Sequence, residues 1–359
     1  MAQSKNKRWI AAVTLSVVAV AALSCAAVFI FNGIGQKAQS PVSVSDETEA
    51  EPDDAMDQRY YAAERDMTFT GSYRNMLVGD ELMVYDAMKP HFIVERRNDK
   101  LTVAFTSGKG YKNVEAVSYI LENAYNCFMG DYPEVYWVNY YQKFVTRNEQ
   151  KLIDTATMDF RKQDPDLYDQ VDTMFDNIDL AVERIKKSRR SESRYDTARA
   201  AHDYICWNIS YDWGIVNHDE LRDFTYLAAP LFGVGNRGRR FVSSGYAEAF
   251  RVLCNRLDIP CIYTEGNFDF GPHAWNYVQM EDGQWYGVDV TWDDDDAGGP
   301  PRHTYFLAGN NSRGTDGKTF AEMHVPGHTE YGEVFSYMTR EPVYWVYPTL
   351  SDNMYDCGY

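Results

Sequence analysis

The chain has 359 residues, of which 45% are hydrophobic and 15% aromatic. This composition excludes an intrinsically disordered chain and is sufficient for one large or two ordinary domains with a buried core. The formal net charge is −18, and residues 38–359 carry 31 Lys and Arg against 53 Asp and Glu, a net charge of −22. A body this acidic repels nucleic-acid backbones, so we expect no nucleic-acid partner. The charge suits solubility or a cationic partner.

The N-terminus predicts a membrane anchor. Residues 1–8 form a basic cytoplasmic tail, and residues 9–31 are an uncharged, mostly apolar run of 23 residues. About 20 such residues span a bilayer as a helix, and the basic flank favours the cytoplasmic side. We therefore expect a single-pass cell-membrane protein whose C-terminal domain is extracellular. A cleaved signal peptide and lipidation at Cys25 are the alternatives. Residues 32–58 are polar and acidic, which indicates a flexible stalk.

Residues 59–190 predict an N-terminal α/β region. Alternating apolar residues are typical of strands, and apolar residues spaced by three and four are typical of amphipathic helices. These patterns predict, in chain order, a strand over 101–105, a helix over 114–128, a strand over 135–141 and a helix over 167–185.

A second domain is predicted over residues 191–345, followed by a C-terminal tail over 346–359. Helical spacing covers 195–207 and resumes at Ser243, and Pro260 ends that second helix before a strand that starts at Cys261. Two further strands, 273–280 and 284–290, flank the tripeptide Glu281-Asp282-Gly283.

This tripeptide determines which side chains of the hairpin share a face. Such a loop uses a type I turn followed by Gly with positive φ, and it pairs Met280 with Gln284. His273 and Asp289 then become diagonal neighbours on one face, about 7–8 Å apart at the backbone. A loop of two or four residues would place them on opposite faces. With the three-residue loop, the Asp289 carboxylate can orient the His273 imidazole and stabilise its charged form.

Ser243 starts the helix that precedes this hairpin. Backbone N–H groups and the helix dipole stabilise negative charge at such a position. A thiol there would shift towards thiolate, whereas a serine hydroxyl stays neutral and needs a base to remove its proton. Ser243 and Ser244 are also good helix-capping residues, so capping without catalysis is the plain alternative.

Three blocks occur in a fixed order along the chain: Phe-Val-Ser-Ser-Gly-Tyr-Ala-Glu-Ala-Phe over 241–250, His-Ala-Trp-Asn over 273–276 and Val-Asp-Val-Thr-Trp over 288–292. They resemble the transglutaminase-like superfamily, whose members carry a Cys, a His and an Asp on this frame. The family's Cys falls at Ser243, the His at His273 and the Asp at Asp289. The resemblance covers residues 196–294, with further similarity at 303–307 and 131–137.

The resemblance implies an α+β fold with a papain-like, transglutaminase-like core, in which the nucleophile helix packs on an antiparallel sheet. The α/β region and the transmembrane helix precede this core. Active relatives make or cleave amide bonds, and no cofactor or metal is implied.

Serine in place of cysteine predicts a catalytically degenerate protein. Together with the predicted anchor and the resemblance, it predicts a surface-anchored bacterial protein that binds a peptide, a protein or a cell-wall-associated partner. The alternative is an active acyl hydrolase or transferase with a triad of Ser243, His273 and Asp289. A purely structural spacer is a third possibility, and an engineered Cys→Ser change would also give this sequence.

Three other groups of residues are weaker candidates. Cys254 and Cys261 are expected to be buried thiols, with a disulfide as the alternative. The acidic run 293–296 is expected to be a solvated loop, with Ca²⁺ binding as the alternative. His324 and His328 are separated by Pro326 and Gly327, which forbid a regular helix, so we expect a loop there without established metal-ligand spacing.

Overall fold

The computed structural model describes residues 71–105, 110–135, 137–138, 141–161, 168–213, 232, 240–268, 271–295, 298–327 and 347–358. The predicted basic tail, anchor and stalk lie outside these residues. None of the helices in the described ranges is long and apolar enough to cross a membrane.

The described residues belong to two compact units. The first unit holds those from 71 to 172, together with residue 347, and the second unit holds those from 173 to 327 and from 348 to 358. The division at 172/173 lies earlier than the boundary expected at 190/191. Residues 348–358, expected as a separate tail, are part of the second unit, where the Ser351 N–H donates to the Trp285 carbonyl at 2.8 Å.

The first unit combines two α-helices with a three-stranded antiparallel sheet in the order β1-β3-β2. A 3₁₀ turn (Tyr73–Met76) precedes α1 (Gly79–Lys89) and a π-helical segment (Pro90–Val94) follows it. The remaining elements are β1 (Lys100–Ala104), α2 (Val114–Asp131), β2 (Gln142–Arg147) and β3 (Ile153–Asp159). α2 begins where predicted because the Asn113 side chain caps it, accepting the Glu115 N–H at 2.8 Å.

The strand predicted over 135–141 is wrong for the residues that are described there. Val135, Trp137 and Val138 are buried in a looped stretch, in which the Val135 N–H donates to the Tyr132 carbonyl at 2.9 Å. Strand β2 begins only at Gln142. These apolar residues suggested a strand, but they lie in turns and point into the core. Their statistical preference for strands is largely a preference for burial.

The second unit packs helices on a four-stranded antiparallel sheet in the order β8-β7-β6-β9. Its longer elements are α3 (Val171–Ser188), α4 (Arg194–Asn208), α5 (Ser243–Arg256), β6 (Cys261–Phe268), β7 (Gly271–Gln279) and β8 (Trp285–Val288). The first two residues of α3 are assigned to the first unit. Its shorter elements are β4 (Ser210–Tyr211), β5 (Arg240–Phe241), α6 (Val290–Asp293), α7 (Phe320–Met323) and β9 (Val325–Pro326). α5 lies against the sheet, and the Asn276 side-chain amide on β7 donates to the Ala247 carbonyl of α5 at 3.0 Å. The mixed helix-and-sheet fold agrees with the α+β class.

The hairpin of β7 and β8 has the predicted register. Asn276 pairs with Val288, and the Met280 N–H donates to the Gln284 carbonyl at 3.0 Å. Gly283 has a φ of +77°, as the three-residue loop requires. β8 is shorter than predicted, because the chain leaves the sheet at Asp289 and forms α6. The Asp289 side chain caps that helix by accepting the Trp292 N–H at 3.1 Å.

Ser243 is the first residue of α5, as predicted, but it does not cap the helix. Val242 occupies the N-cap position, and no side chain caps the helix there. The buried Ser244 hydroxyl has no hydrogen-bond partner in the described part of the chain. The alternative in which the two serines cap the helix is therefore wrong, because neither hydroxyl bonds to the helix terminus among the described residues.

Candidate active site

His273 and Asp289 form a close hydrogen-bonded pair. His273 lies on β7, Asp289 follows β8, and the His273 Nε2–Asp289 Oδ2 distance is 2.6 Å. The Asp289 side chain is fully buried and that of His273 is 9% exposed. The hairpin register brings the two residues together, and the turn of chain into α6 aims the carboxylate at the ring. His273 thus has the arrangement of an imidazole oriented by a carboxylate.

Asp289 is held as an anion by three donors. Besides His273, the His324 Nε2 lies 2.9 Å from the same Oδ2, and the Trp292 N–H donates to Oδ1 at 3.1 Å. Burial alone would raise the pKa of Asp289, but the charge and hydrogen bonds of His273 and the hydrogen bond of His324 hold that pKa well below its usual range. The site therefore contains a buried carboxylate that is ionised near neutral pH.

Sequence reasoning missed His324 as a member of this site. It ends α7, is buried, and stacks on Phe320 with ring centroids 3.8 Å apart. Burial lowers the pKa of His324 despite the opposing effect of Asp289. Both ring nitrogens face acceptors, Nε2 the Asp289 carboxylate at 2.9 Å and Nδ1 the Phe320 carbonyl at 3.1 Å. In the neutral ring, the single N–H belongs on Nε2, because the carboxylate is the charged acceptor. The residues around His324, from Met323 to His328, form no recognisable motif. Only the path of the chain after α7 shows that His324 belongs to the site.

Two tryptophans restrict the His273 ring. The Trp292 ring stacks on it with centroids 4.7 Å apart and an interplanar angle of 19°, and Trp275 lies 6.1 Å away at 23°. One face of the imidazole is thus covered and one nitrogen is bonded to Asp289. The Nδ1 edge is the part of the ring that remains for a substrate or a nucleophile.

Ser243 lies at the start of α5 and is half-buried. Among the described residues, its hydroxyl makes no hydrogen bond to His273 or to any other group. The structure therefore brings together two of the three predicted site residues through direct contact, and it places the third at the helix terminus expected for a nucleophile.

None of the buried cysteines is a substitute nucleophile. Cys127, Cys206, Cys254 and Cys261 are all buried cysteines, as expected for the last two. Burial raises the pKa of Cys206 and of Cys254, which disfavours the reactive thiolate. Cys357 is partly exposed but belongs to the C-terminal segment.

The acidic run that begins at Asp293 is not simply a solvated loop. Asp293 ends α6, is fully buried, and accepts the Tyr305 N–H with both carboxylate oxygens at 3.1 Å. Asp294 accepts the Tyr246 hydroxyl at 2.6 Å. The expectation of a solvated loop is therefore wrong for Asp293, because the following segment folds back over α6.

Two groups of side chains in the described ranges have ligand atoms close enough together to hold a metal ion. One is His273, Asp289 and His324, and the other is His202, Asp203 and His303. The first group is the candidate active site itself.

Residues 182–290 match the family described as the transglutaminase-like superfamily. This stretch of the chain is therefore similar to the transglutaminase-like superfamily, and it includes Ser243, His273 and Asp289. No curated protein matches the sequence.

The solved structures that are similar to this chain are distant from it. A crystal structure described as a TGase is 20% identical, with 42% of this chain and 44% of that chain covered and a TM-score of 0.28. A putative cysteine protease from Cytophaga hutchinsonii is 16% identical, with coverages of 42% and 62% and a TM-score of 0.23. The periplasmic domain of TgpA from Pseudomonas aeruginosa, bound to ethylmercury, is 13% identical, with coverages of 40% and 57% and a TM-score of 0.26. This chain spans less than two thirds of each of them.

Proposed function

We propose that this chain is a surface-anchored binding module. In this proposal, the transglutaminase-like cleft holds a peptide or protein segment, associated with the bacterial cell wall, without cleaving or joining amide bonds. Residues 9–31 anchor the chain in the cell membrane, and the second unit faces outward. The observation that carries the proposal is Ser243, a hydroxyl at the position where the family has a thiol, in a chain whose His273–Asp289 pair is assembled.

The chemistry of oxygen at this position argues against turnover. A thiol at a helix N-terminus and beside an imidazole ionises readily, whereas a serine hydroxyl gains too little from these effects to ionise near neutral pH. A frame built for the longer bonds of sulfur also misplaces an oxygen nucleophile. A displacement of about 1 Å costs on the order of a hundredfold in rate. The absence of a Ser243–His273 hydrogen bond in the described structure agrees with this argument.

Aromatic side chains near the start of α5 offer a surface for a peptide. In the parallel pair of β4 and β5, Tyr211 is the partner of Phe241, which precedes Ser243 by two residues. The ring of Trp213 lies 4.6 Å from that of Tyr211, and Trp213 is 50% exposed. Exposed aromatic rings provide large contact areas at a peptide interface. The net charge of −22 over residues 38–359 favours a cationic ligand.

One observation favours the alternative of an acyl hydrolase or transferase. The 2.6 Å contact between His273 and Asp289 is the arrangement that a general base requires. In that case Ser243 is the nucleophile, His273 is the base and Asp289 orients the base.

Labelling of the purified full-length chain with a fluorophosphonate probe, together with activated acyl esters, separates the two functions. The binding proposal predicts no labelling of Ser243 and no ester turnover above that of Ser243→Ala. Labelling at Ser243 that disappears in His273→Ala would establish the enzyme instead.

Binding is measured on an array of short lysine-containing peptides and on isolated cell-wall fragments. We expect ligands that Ser243→Ala still binds and that Trp213→Ala binds at least about tenfold more weakly, since hot-spot aromatics contribute more than about 1–2 kcal/mol. Phe144→Ala is the matched control, because Phe144 is an aromatic residue of the first unit with 42% exposure. Failure to bind any of these probes would favour a structural spacer.

A further inference from the structure

A second cluster of histidine and aspartate side chains lies outside the candidate active site. His202 and Asp203 are neighbours on α4, and His303 comes from the segment after α6. His202 Nδ1 lies 3.0 Å and His303 Nε2 lies 2.7 Å from the same oxygen, Oδ1 of Asp203. The two imidazoles and the carboxylate thus converge on one point from two separate parts of the chain.

We propose that His202, Asp203 and His303 form a binding site for a first-row divalent transition-metal ion such as Zn²⁺. Their ligand atoms all lie within 4.8 Å of one another. In a tetrahedral zinc site, ligand bonds of about 2.0–2.2 Å place neighbouring ligand atoms about 3.3 Å apart. The present separations of 2.7 and 3.0 Å therefore need to widen by only a few tenths of an ångström.

Burial within the cluster suits a metal ion that keeps one open position. The His202 side chain is fully buried, whereas those of Asp203 and His303 are each 30% exposed. An ion can thus enter from the exposed side and retain a water molecule as its fourth ligand. Three protein ligands and one solvent ligand are common for zinc outside closed structural sites. Two imidazoles favour zinc, nickel, cobalt or copper over calcium or magnesium.

The surroundings of His202 provide an independent argument. Its Nε2 atom is buried, has no hydrogen-bond partner in the described structure, and lies 3.4 Å from the Oδ2 atom of Asp293. When Nδ1 binds a metal ion, the ring hydrogen must be on Nε2, which faces this carboxylate. Metal-bound histidines almost always donate their other ring N–H to such an acceptor. Tyr305 holds Asp293 in place through its N–H.

An ion-pair cluster without metal is the competing explanation. In that case Asp203, 3.0 Å from Nδ1, and Asp293, 3.4 Å from Nε2, would hold a proton on His202. The same carboxylates that stabilise a proton on His202 would stabilise a metal ion, because proton and metal compete for Nδ1. A binding measurement distinguishes the two.

Titration of the metal-stripped full-length chain with Co²⁺ tests the proposal, because four-coordinate Co²⁺ absorbs visible light strongly. We expect one Co²⁺ per chain with this absorption, and displacement of the colour by Zn²⁺. The variants His303→Ala and Asp203→Asn should lose the absorption while keeping the circular dichroism of the wild type. Asp293→Asn should weaken binding about 10–100-fold, as removal of an outer carboxylate does.

His273→Ala is the control for the other histidine cluster and should bind Co²⁺ with the wild-type spectrum. The proposal is overturned if the wild-type chain binds no Co²⁺, or if His303→Ala binds it with an unchanged spectrum. It is equally overturned if His273→Ala, rather than His303→Ala, removes the absorption, since the ion would then occupy the candidate active site.

Discussion

A single carboxylate oxygen of Asp289 accepts from two imidazoles, while its other oxygen caps α6. These contacts orient His273 and secure the ionised state of Asp289. At the scale of single residues, the machinery behind the nucleophile position is therefore complete. Under the proposed function, the difference from an active family member is concentrated in the atom at Ser243.

Restoring sulfur at that atom tests whether the cleft is assembled around it. We expect the thiol of Ser243→Cys to react with iodoacetamide at pH 7 at least about tenfold faster than Cys357, because the helix terminus and His273 lower a thiol pKa from its usual value near 8.5. The rates are measured by mass spectrometry of the modified peptides. In the double variant with His273→Ala the advantage should shrink. Equal rates at the two thiols would contradict the proposed cleft.

His324 supports Asp289 through the same carboxylate oxygen that His273 contacts. We expect His324→Ala to lower the free energy of unfolding by about 2–4 kcal/mol, because it removes a buried ring stacked on Phe320 and leaves Asp289 with one donor fewer. His324→Gln retains an N–H donor and should lose less. Urea denaturation measures both. A loss below about 0.5 kcal/mol in His324→Ala would show that Asp289 does not depend on this residue.

At the scale of elements, close packing between β8 and α7 positions His324. A Cβ atom on Gly287 would lie 2.2 Å from the Phe320 ring, and that ring stacks on His324. The absence of a side chain at Gly287 thus lets α7 approach the sheet closely enough for His324 to reach Asp289. In the hairpin loop, by contrast, a Cβ added to Gly283 would have no atom within 4 Å, so space does not require glycine there. Gly283 is needed only for its positive φ.

These two glycines make a matched pair for an element-scale prediction. Gly287→Ala should displace Phe320, cost about 1–3 kcal/mol through overpacking, and shift the imidazole NMR signals of His324 and His273. Gly283→Ala should cost about 1–2 kcal/mol from its left-handed backbone and leave those signals unchanged. If both variants shift the signals equally, the packing of α7 on β8 does not control the site.

At the scale of the whole molecule, buried and paired carboxylates make the free energy of unfolding depend on pH in the acidic range. The pKa of Asp289 is held well below its usual range, and the hydrogen bond from Arg161 lowers the pKa of Asp159 in the first unit to about 2. A carboxylate with a depressed pKa in the folded state stabilises the fold above its unfolded pKa near 3.9. That contribution is lost as the pH falls from about 4 towards the folded pKa.

We therefore expect the urea concentration at the unfolding midpoint to decrease as the pH of a solution of the full-length chain is lowered from about 5 to about 2. This is approximately the pH range in which these carboxylates gain protons. Asp289→Asn should be less stable at pH 7 and should lose less on further acidification, because it cannot take up that proton. Intrinsic fluorescence at a series of pH values follows the transition. Parallel pH profiles of wild type and Asp289→Asn would contradict the assigned role of Asp289.

Much of the second unit could be predicted because its determinants are local. The tripeptide at 281–283 specifies the hairpin register, and apolar spacing with Pro260 specifies α5. The predicted strand over 135–141 failed because buried aromatic and β-branched residues favour burial as much as sheet pairing. The β8 strand was predicted to end two residues too late, at 290 instead of Val288, since an Asp in a strand-like pattern gives no sign that it caps a helix instead.

The amino-acid sequence by itself determined the superfamily, the hairpin and the identity of the atom at position 243, because each depends on the order of residues along a short stretch. Only the tertiary structure decided that His324 joins Asp289 and that His202, Asp203 and His303 converge. These contacts join residues 35 and 100 positions apart. Their distances depend on how α4, α6 and α7 pack on the sheet, which no local pattern encodes.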